Sequence, residues 1–494
     1  EHATTRDQSL HGIELLARRG GRSEVSVADT LLGLMRTAPS PDSAASSAGH
    51  WLFDAGRPAL IEALGLHEGL ASVWRGVARR LALPVYLGAL GLGTVGLVAW
   101  LVHHEALATV GGWALLGAVL MAFPASEAVV AVINRLISES ARPHHLPRLA
   151  LADGIPAEHR VLVVIPGMLT DAASTRALVH RLQLHHLANP ERHAQFALLT
   201  DWADADTAQL ATDDALLADA VQQVRALNER YLGDTTPRFI VLHRQREFSP
   251  TEQRWIGWER KRGKLEQLVA ALATGVNSAF LDLGAESRLA PDARYLVTLD
   301  SDTRLPPGRL RDLVGVAAHP HNQPQLDASG RAVVSGYGIL QPRLVTPLPQ
   351  PTDVTVYHWL FAGQCGIDPY SAASSEVYQD LFREGTFTGK GLLNVQAVHA
   401  VLAERLPEGR VLSHDLLEGS MVRCAAVTDI TLVEDAPFHA DVAASRIHRW
   451  TRGDWQLLPF LLQSRRYGLR AVNAWKLFDN LRRSLVAPMS LALL

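Results

Sequence analysis

Tyr295-Leu-Val-Thr-Leu299, followed without a break by Asp300-Ser301-Asp302, reads as a buried strand that delivers two carboxylates at its carboxyl end. A strand end places its side chains rigidly. Hard oxygen ligands suit Mg²⁺ or Mn²⁺, ions that neutralise a pyrophosphate while keeping some of their own waters. Taken alone, an Asp-x-Asp triplet is most often a solvated turn or a helix cap. Its weight here comes from Ser413-His-Asp415-Leu-Leu-Glu418-Gly419 and Arg446-Ile-His-Arg449-Trp450 downstream, and from long apolar runs upstream.

Working outward, Arg160-Val-Leu-Val-Val-Ile165, Phe196-Ala-Leu-Leu-Thr200 and Phe239-Ile-Val-Leu242 also read as strands. Ala172 to Leu187, Asp213 to Tyr231 and Glu259 to Ala273 carry helical periodicity between them. Continuous apolar strands alternating with helices predict an α/β fold with a mostly parallel sheet covered on both faces. Such sheets bind ligands beyond the carboxyl ends of their strands. Those ends carry Pro166-Gly167, Asp201, His243-Arg244 and the Asp300/Asp302 pair. Each has a plainer reading, as a turn or a cap, and it is their convergence that favours a site. Gly385-Thr-Phe-Thr-Gly389-Lys390-Gly391 fails the phosphate-loop pattern, because its glycines are too close and no Ser or Thr follows the Lys. It reads as a loop lining a substrate channel, or as a glycine turn opening a helix near Asn394.

The chain has 494 residues, and its net charge of −3 gives no broad basic field, so nucleic acid is not an expected partner. A small anionic ligand held locally fits better. Cys365 and Cys424 are too few for a disulfide framework and read as reduced thiols. Residue 1 is Glu, and the chain stops inside the apolar run Pro488 to Leu494, as expected for a segment of a longer polypeptide.

Leu81 to Val102 is almost uncharged and long enough, at ~1.5 Å per residue, to cross a ~30 Å hydrocarbon layer. A second apolar stretch runs from Ala106 to about Phe123, with a break expected at Pro124 and Glu127 before Ala128 to Ile133. Arg75, Arg79 and Arg80 precede the pair and Arg135, Arg142 and Arg148 follow it, while the connector has neither Lys nor Arg. By the positive-inside rule both ends face the cytoplasm. The alternative is a hydrophobic hairpin in a soluble core. Upstream, Gly12 to Ala17 and Val27 to Met35 carry helical periodicity, giving a small helical segment. Downstream, Trp475 to Leu485 has apolar residues at helical spacing with Lys476, Arg482 and Arg483 as its cations, and is expected to lie on an anionic leaflet and lead into another span.

Thr200-Asp201, Arg262-Gly-Lys264, Leu299-Asp-Ser-Asp302, Phe387-Thr-Gly-Lys-Gly391, Leu412-Ser-His-Asp-Leu-Leu-Glu-Gly419 and Arg449-Trp-Thr-Arg-Gly-Asp-Trp-Gln456, in that order, resemble membrane-bound processive glycosyltransferases, the relatives of cellulose synthase. The nearer likeness is to the glycosyltransferase region of bacterial cyclic β-1,2-glucan synthases, and it covers roughly residues 150 to 494. This resemblance implies a GT-A (Rossmann-like) domain over 150–470, behind a helical segment (1–75) and two transmembrane helices (80–137), with an interfacial helix and the start of a further span at 471–494. It implies a multi-pass protein of the bacterial inner membrane with a cytoplasmic catalytic domain. It also implies UDP-glucose as donor, a growing glucan chain as acceptor, and the lipid bilayer and the rest of a longer polypeptide as partners.

Carried over by position, the donor would be met by Pro166, Asp201, Lys264, Asp300, Arg449 and Trp450, and the metal by Asp300 and Asp302. Gly389, Lys390, Gly391, Trp450 and Trp455 would line the acceptor channel, and Asp415 would be the catalytic base. Where the wider superfamily has Gln opening the Gln-x-x-Arg-Trp motif this chain has Arg446, whose role is left open, as is that of Glu418.

The chemistry has a physical rationale of its own. A diphosphate leaving group needs no proton donor when a cation and arginines absorb its developing charge. The attacking hydroxyl must lose a proton, so one carboxylate must lie within hydrogen-bond reach of it. Asp415 is the candidate; its plainer reading is the N-cap of a helix from Leu416 to Cys424, with Glu418 as capping partner. Of the tryptophans only Trp450 is favoured as a sugar platform, and His414, His439 and His448 read as structural or surface residues. The alternative within the resemblance is an osmoregulated periplasmic glucan or other β-glucan synthase, and two rival readings from other classes are a metal-dependent nucleotidyl- or phosphotransferase and a non-catalytic nucleotide-sugar sensor. Linkage and sugar rest on the resemblance.

Overall fold

The computed structural model describes residues 1–41, 43–67, 70–104, 113–231, 236–347, 349, 354–361, 375–411 and 414–494. Cys365, Leu412 and Ser413 lie outside this set, as does the stretch 105–112 between the apolar runs.

Eleven strands occur among the described residues: β1 (Val161–Leu169), β2 (Ala194–Trp202), β3 (Phe239–Arg244), β4 (Glu247–Ser249), β5 (Arg254–Ile256), β6 (Tyr295–Thr298), β7 (Gln325–Leu326), β8 (Val333–Ser335), β9 (Ile339–Val345), β10 (Gly391–Asn394) and β11 (Cys424–Val433). Seven form one sheet in the order β11-β9-β10-β6-β1-β2-β3, and β4-β5 and β7-β8 are small hairpins. The four strands expected from sequence are β1, β2, β3 and β6, and they lie side by side and parallel. β10 runs against both β6 and β9, while β11 is parallel to β9. The sheet is therefore parallel with one reversed strand. β1, β2 and β3 carry almost no exposed side chains, because helices cover both faces, as their continuous apolar character requires.

The helices Ala172–Ala188, Asp213–Arg230 and Arg260–Thr274 match the expected ones to within a residue or so at each end. Asp171 caps the first, its Oδ1 accepting from the amides of Ala173 and Ser174 at 2.9 Å each. One face of the sheet buries Val163, Phe196, Val241 and Val297 in a core with Leu182 and Leu313, and the other buries Val164, Leu199, Leu242 and Leu296 against Leu268 and Leu417. At the amino end, helices Ala3–Gly20 and Glu24–Met35 share a separate core with Leu52, Leu60 and Leu64.

Among the described residues two helices are long and apolar enough to cross a membrane, Gly76–His104 and Trp113–Ser140. In each, only 11% of the most apolar window is buried, so neither is the core helix of the hairpin alternative. The expected break at Pro124 and Glu127 does not occur, for the second helix runs through both. Pro124 costs one backbone hydrogen bond, and Ser126 Oγ donates locally to the Phe123 carbonyl at 2.6 Å. Glu127 pairs with Arg482 at 2.7 Å. The C-terminal helix Ala471–Leu493 holds Arg482 against this second helix, with Arg482 also donating to Asp479 and Ser126. Lys476 is buried too, donating to the carbonyls of Glu384 and Gly385 at 3.1 and 2.8 Å. Lys476 and Arg482 thus hold protein groups rather than face a lipid leaflet, because their helix is packed on two sides.

Asp479 is 1% exposed, so Asp479→Ala strips a charge partner from a buried arginine, whereas Asp435 pairs with Arg304 at the surface. In detergent, Asp479→Ala is expected to lower the thermal unfolding midpoint by several degrees and Asp435→Ala by about one degree or less.

Candidate functional site at the carboxyl edge of the sheet

The reversed strand decides what meets at this edge. Because β10 is antiparallel to β6, with Gly391 opposite Thr298, the residues just before β10 sit beside those just after β6. Lys390 Nζ lies 3.2 Å from Asp300 Oδ2, and Lys261, in the first turn of the helix Arg260–Thr274, lies 2.5 Å from Asp300 Oδ1. Lys261 Nζ also donates to the Gly389 carbonyl at 3.1 Å. β11 ends at the same edge, where Val433 bridges Arg304, and the residue after it, Glu434, reaches Lys390 at 2.7 Å and Arg446 at 3.2 Å. Asp300, Lys390, Glu434 and Arg446 form one chain of alternating charge.

Asp415 stands next to this chain. Gly389 has φ +82°, and a Cβ placed on it would fall 2.6 Å from Asp415 Oδ2, so the glycine backbone lies directly against that carboxylate. The Asp300 pair and Asp415, 113 residues or more apart in the chain, therefore share one cavity. Asp415 is the first residue of the helix Asp415–Val422 and does not cap it; the capping position is His414, with no side-chain cap bond. The helix also stops before Cys424, which opens β11. His414 is buried, with Nδ1 2.9 Å from Glu418 and 3.7 Å from Asp415. The sequence reading took it for a structural or surface residue, and the structure places it in the lining of the cleft. His414, Asp415 and Glu418 present ligand atoms within 4.8 Å of one another.

A cleft of about 2500 Å³ opens over these groups. Asp300, Asp302, Lys390, Asp415, Arg446, Arg449 and Trp450 line it, and at its far end it reaches Glu127, Asp479 and Arg483 beside the membrane-length helices. Arg446, Arg449 and Trp450 share a face of the helix Ala440–Gln456 at spacings of three and four. The Arg446 guanidinium stands 5.1 Å from the Trp450 ring centroid. Among the described residues Arg449 forms no ion pair, and it is exposed to the cleft.

Burial pushes the Asp300 carboxyl up, but Lys261 and Lys390 outweigh it and hold the group below the usual carboxylate range. Asp302 goes the other way, raised by burial and by the neighbouring Glu434 and Asp300. It forms no salt bridge among the described residues. Burial depresses the Lys390 ammonium less than Asp300 and Glu434 raise it. For His414, burial is outweighed by Glu418 and then Asp415, so the imidazolium is favoured.

Other expected site residues lie apart from the cleft. Asp201 is 2% exposed and bound by Arg244 through both oxygens at 2.7 and 2.9 Å and by Lys264 at 2.8 Å, with Gly257 closing over its carboxylate. Lys264 Nζ also donates to the Gly167 carbonyl at 2.7 Å. Burial, against the pull of Asp201, drives the Lys264 ammonium below its ordinary range. Asp201 and Lys264 thus tie the ends of β1, β2 and β3 together, and the cation presented to the cleft is Lys261, one helical turn earlier. Neither Pro166, Gly391, Trp455 nor Glu418 lines the cleft, and Trp455 donates to Ser484 at 3.0 Å. Lys261 and Glu434 escaped the sequence reading. The signal for Glu434 was an acid placed directly after an alternating apolar strand, as Asp300 follows its own.

The whole is an α/β protein with an ionic cleft at the carboxyl edge of its sheet and two helices of membrane-crossing length. The chain is similar to the cyclic beta-(1,2)-glucan synthase NdvB of Rhizobium meliloti (strain 1021), with 39% identity over 489 residues, which is 97% of this chain and 17% of the relative. It thus spans about a sixth of the relative's length, and identity at this level along nearly the whole chain supports the expected likeness to a region of a cyclic β-glucan synthase. No protein-family profile matches the chain.

Two outcomes follow from this geometry. Gly389→Ala forces a Cβ toward Asp415 at a left-handed backbone position, at a cost of about 1–3 kcal/mol, readable as a lowered unfolding midpoint. The His414 contribution is present below the unfolded histidine value, ~6.5, and is lost as pH rises through its raised folded value. His414→Gln should therefore flatten the fall of thermal stability as pH rises above ~6.5, and an unchanged pH profile would count against the His414–Glu418 pair.

Proposed function

We propose that the chain is the glucosyltransferase part of a β-1,2-glucan synthase, a GT-A domain that transfers glucose from UDP-glucose to the 2-hydroxyl of a growing glucan with inversion. The observation that carries the reading is the shared cavity, lined together by Asp300, Asp302, Asp415, Arg449 and Trp450. Its volume of about 2500 Å³ exceeds the ~300–1,000 Å³ of ordinary small-molecule sites, leaving room for a nucleotide sugar and several acceptor units. The similarity to a synthase of cyclic β-(1,2)-glucan supplies sugar and linkage.

The residues fit a divalent cation at Asp302, whose carboxyl is raised by burial and then by two neighbouring acids and forms no salt bridge among the described residues. Asp300 and Asp302 would hold Mg²⁺ or Mn²⁺, which when bound neutralises charge on the departing diphosphate. Arg449, which forms no ion pair among the described residues and lines the same cleft, takes the same charge. Trp450 offers an indole face to a sugar ring, stiffened by the Arg446 guanidinium over it. Asp415 accepts the proton of the attacking hydroxyl, and its carboxylate is steadied by the close backbone of Gly389 and by His414. Both ends of the helix pair facing the cytoplasm would place the cleft on the side where UDP-glucose is made, in a bacterial inner membrane.

In the full-length protein in membranes, Asp415→Asn should bind UDP with unchanged affinity and lose at least a hundredfold of glucose incorporation from labelled UDP-glucose. Undiminished incorporation removes Asp415 from the mechanism. Linkage analysis of the wild-type product decides between attack by the 2-hydroxyl and any other. Consumption of a nucleoside triphosphate instead of UDP release would point to nucleotidyl transfer, and UDP-glucose binding without turnover on any acceptor to a sensor.

A further inference from the structure

Glu434 has no part in the chemistry above, yet it occupies the middle of the charge chain. Its two oxygens serve two cations of the cleft, Lys390 at 2.7 Å and Arg446 at 3.2 Å, from two different elements. Its side chain is 11% exposed, and the Lys390 side chain 9%. Lys390 turns its remaining reach to Asp300, so both cations are neutralised by protein acids.

We propose that Glu434 is an internal counter-ion that stands in for the diphosphate, holding Lys390 and Arg446 in place until the nucleotide's phosphates displace it. The inference rests on the nucleotide-sugar reading of the cleft and deepens it. Two buried-edge cations without an acid would repel each other and splay, while a permanently bound acid would exclude an anionic ligand. A carboxylate shared between them does neither. It matches one of a diphosphate's charges, keeps both cations pre-positioned, and leaves at a cost that the more highly charged phosphates repay. Arg446 at the place where the wider superfamily has Gln acquires a reason: a charged residue there needs a counter-ion, and Glu434 is that group.

Glu434 is thereby a positioning residue, and its charge rather than its shape is what the donor competes with. The test is UDP binding by full-length protein in membranes or detergent, titrated calorimetrically with EDTA present so that only protein charges count. Glu434→Gln keeps the shape and removes the charge, and is expected to bind UDP about threefold to tenfold more tightly than wild type. Glu434→Asp keeps the charge and should return close to wild-type affinity. A merely structural role predicts weaker binding in both, so an unchanged or weakened UDP affinity in Glu434→Gln overturns the proposal. If Glu434→Gln does not fold, Arg446→Gln replaces it. That variant turns Glu434 wholly onto Lys390 and should weaken UDP binding at least fivefold, and unchanged affinity there also overturns the inference. Wild-type protein that binds no UDP would instead defeat the nucleotide-sugar reading itself and the counter-ion inference with it.

Discussion

The ammonium group of Lys261 holds the site together. It bonds at once to Asp300, at the end of a strand in the parallel half of the sheet, and to the carbonyl of Gly389, just before the one reversed strand. That bridge reinforces the ladder between β6 and β10, four residues long, and the Lys390–Asp300 pair beside it. With it, the acid after β6 and the glycine beneath Asp415 are fixed relative to each other. Lys261 itself is set by a helix whose second turn has no room for a side chain at Gly263, where a Cβ would lie 2.1 Å from the Trp258 carbonyl. Local backbone packing thus propagates to the spacing of groups that are distant in sequence.

The parallel half of the sheet was legible because each strand is a continuous apolar run followed by a polar residue, and each helix between them has a clear period. The other half was not. β9 contains Gln341 and Pro342, which weaken a strand reading; β10 has only four residues and begins at a glycine; β11 follows a helix so closely that its first residues extend the apolar helical pattern. What lay in the unread half included Glu434, and with it the partner of Arg446. Asp201 and Lys264 illustrate a different limit. A charged residue at a strand end can face the ligand or the neighbouring strand end, and spacing alone does not say which. Here Arg244 and Lys264 satisfy Asp201 so completely that it is part of the scaffold. Glu127 and Pro124 show the same dependence on context: both look like interruptions of an apolar helix until Arg482 and a low-dielectric surrounding are in place.

The cleft is continuous with the membrane-length helices through paired charges rather than apolar contact alone. Arg482 reaches Glu127 and Ser126 on one helix and Asp479 on its own, while Tyr86 donates to Asn134 at 3.0 Å between the two membrane-length helices. Such bonds have directional requirements that lipid-facing leucines lack, so they set register as well as contact. The sheet domain and the helices are keyed together at the end of the cleft where Asp479 and Arg483 lie.

Gly389 carries a consequence for how the protein can change over time. Every amino-acid replacement of a glycine adds at least a Cβ, and here that atom would press on the Asp415 carboxylate from a left-handed backbone. Synonymous codons aside, no replacement at this position is free of that clash, so amino-acid drift through the loop must go around it.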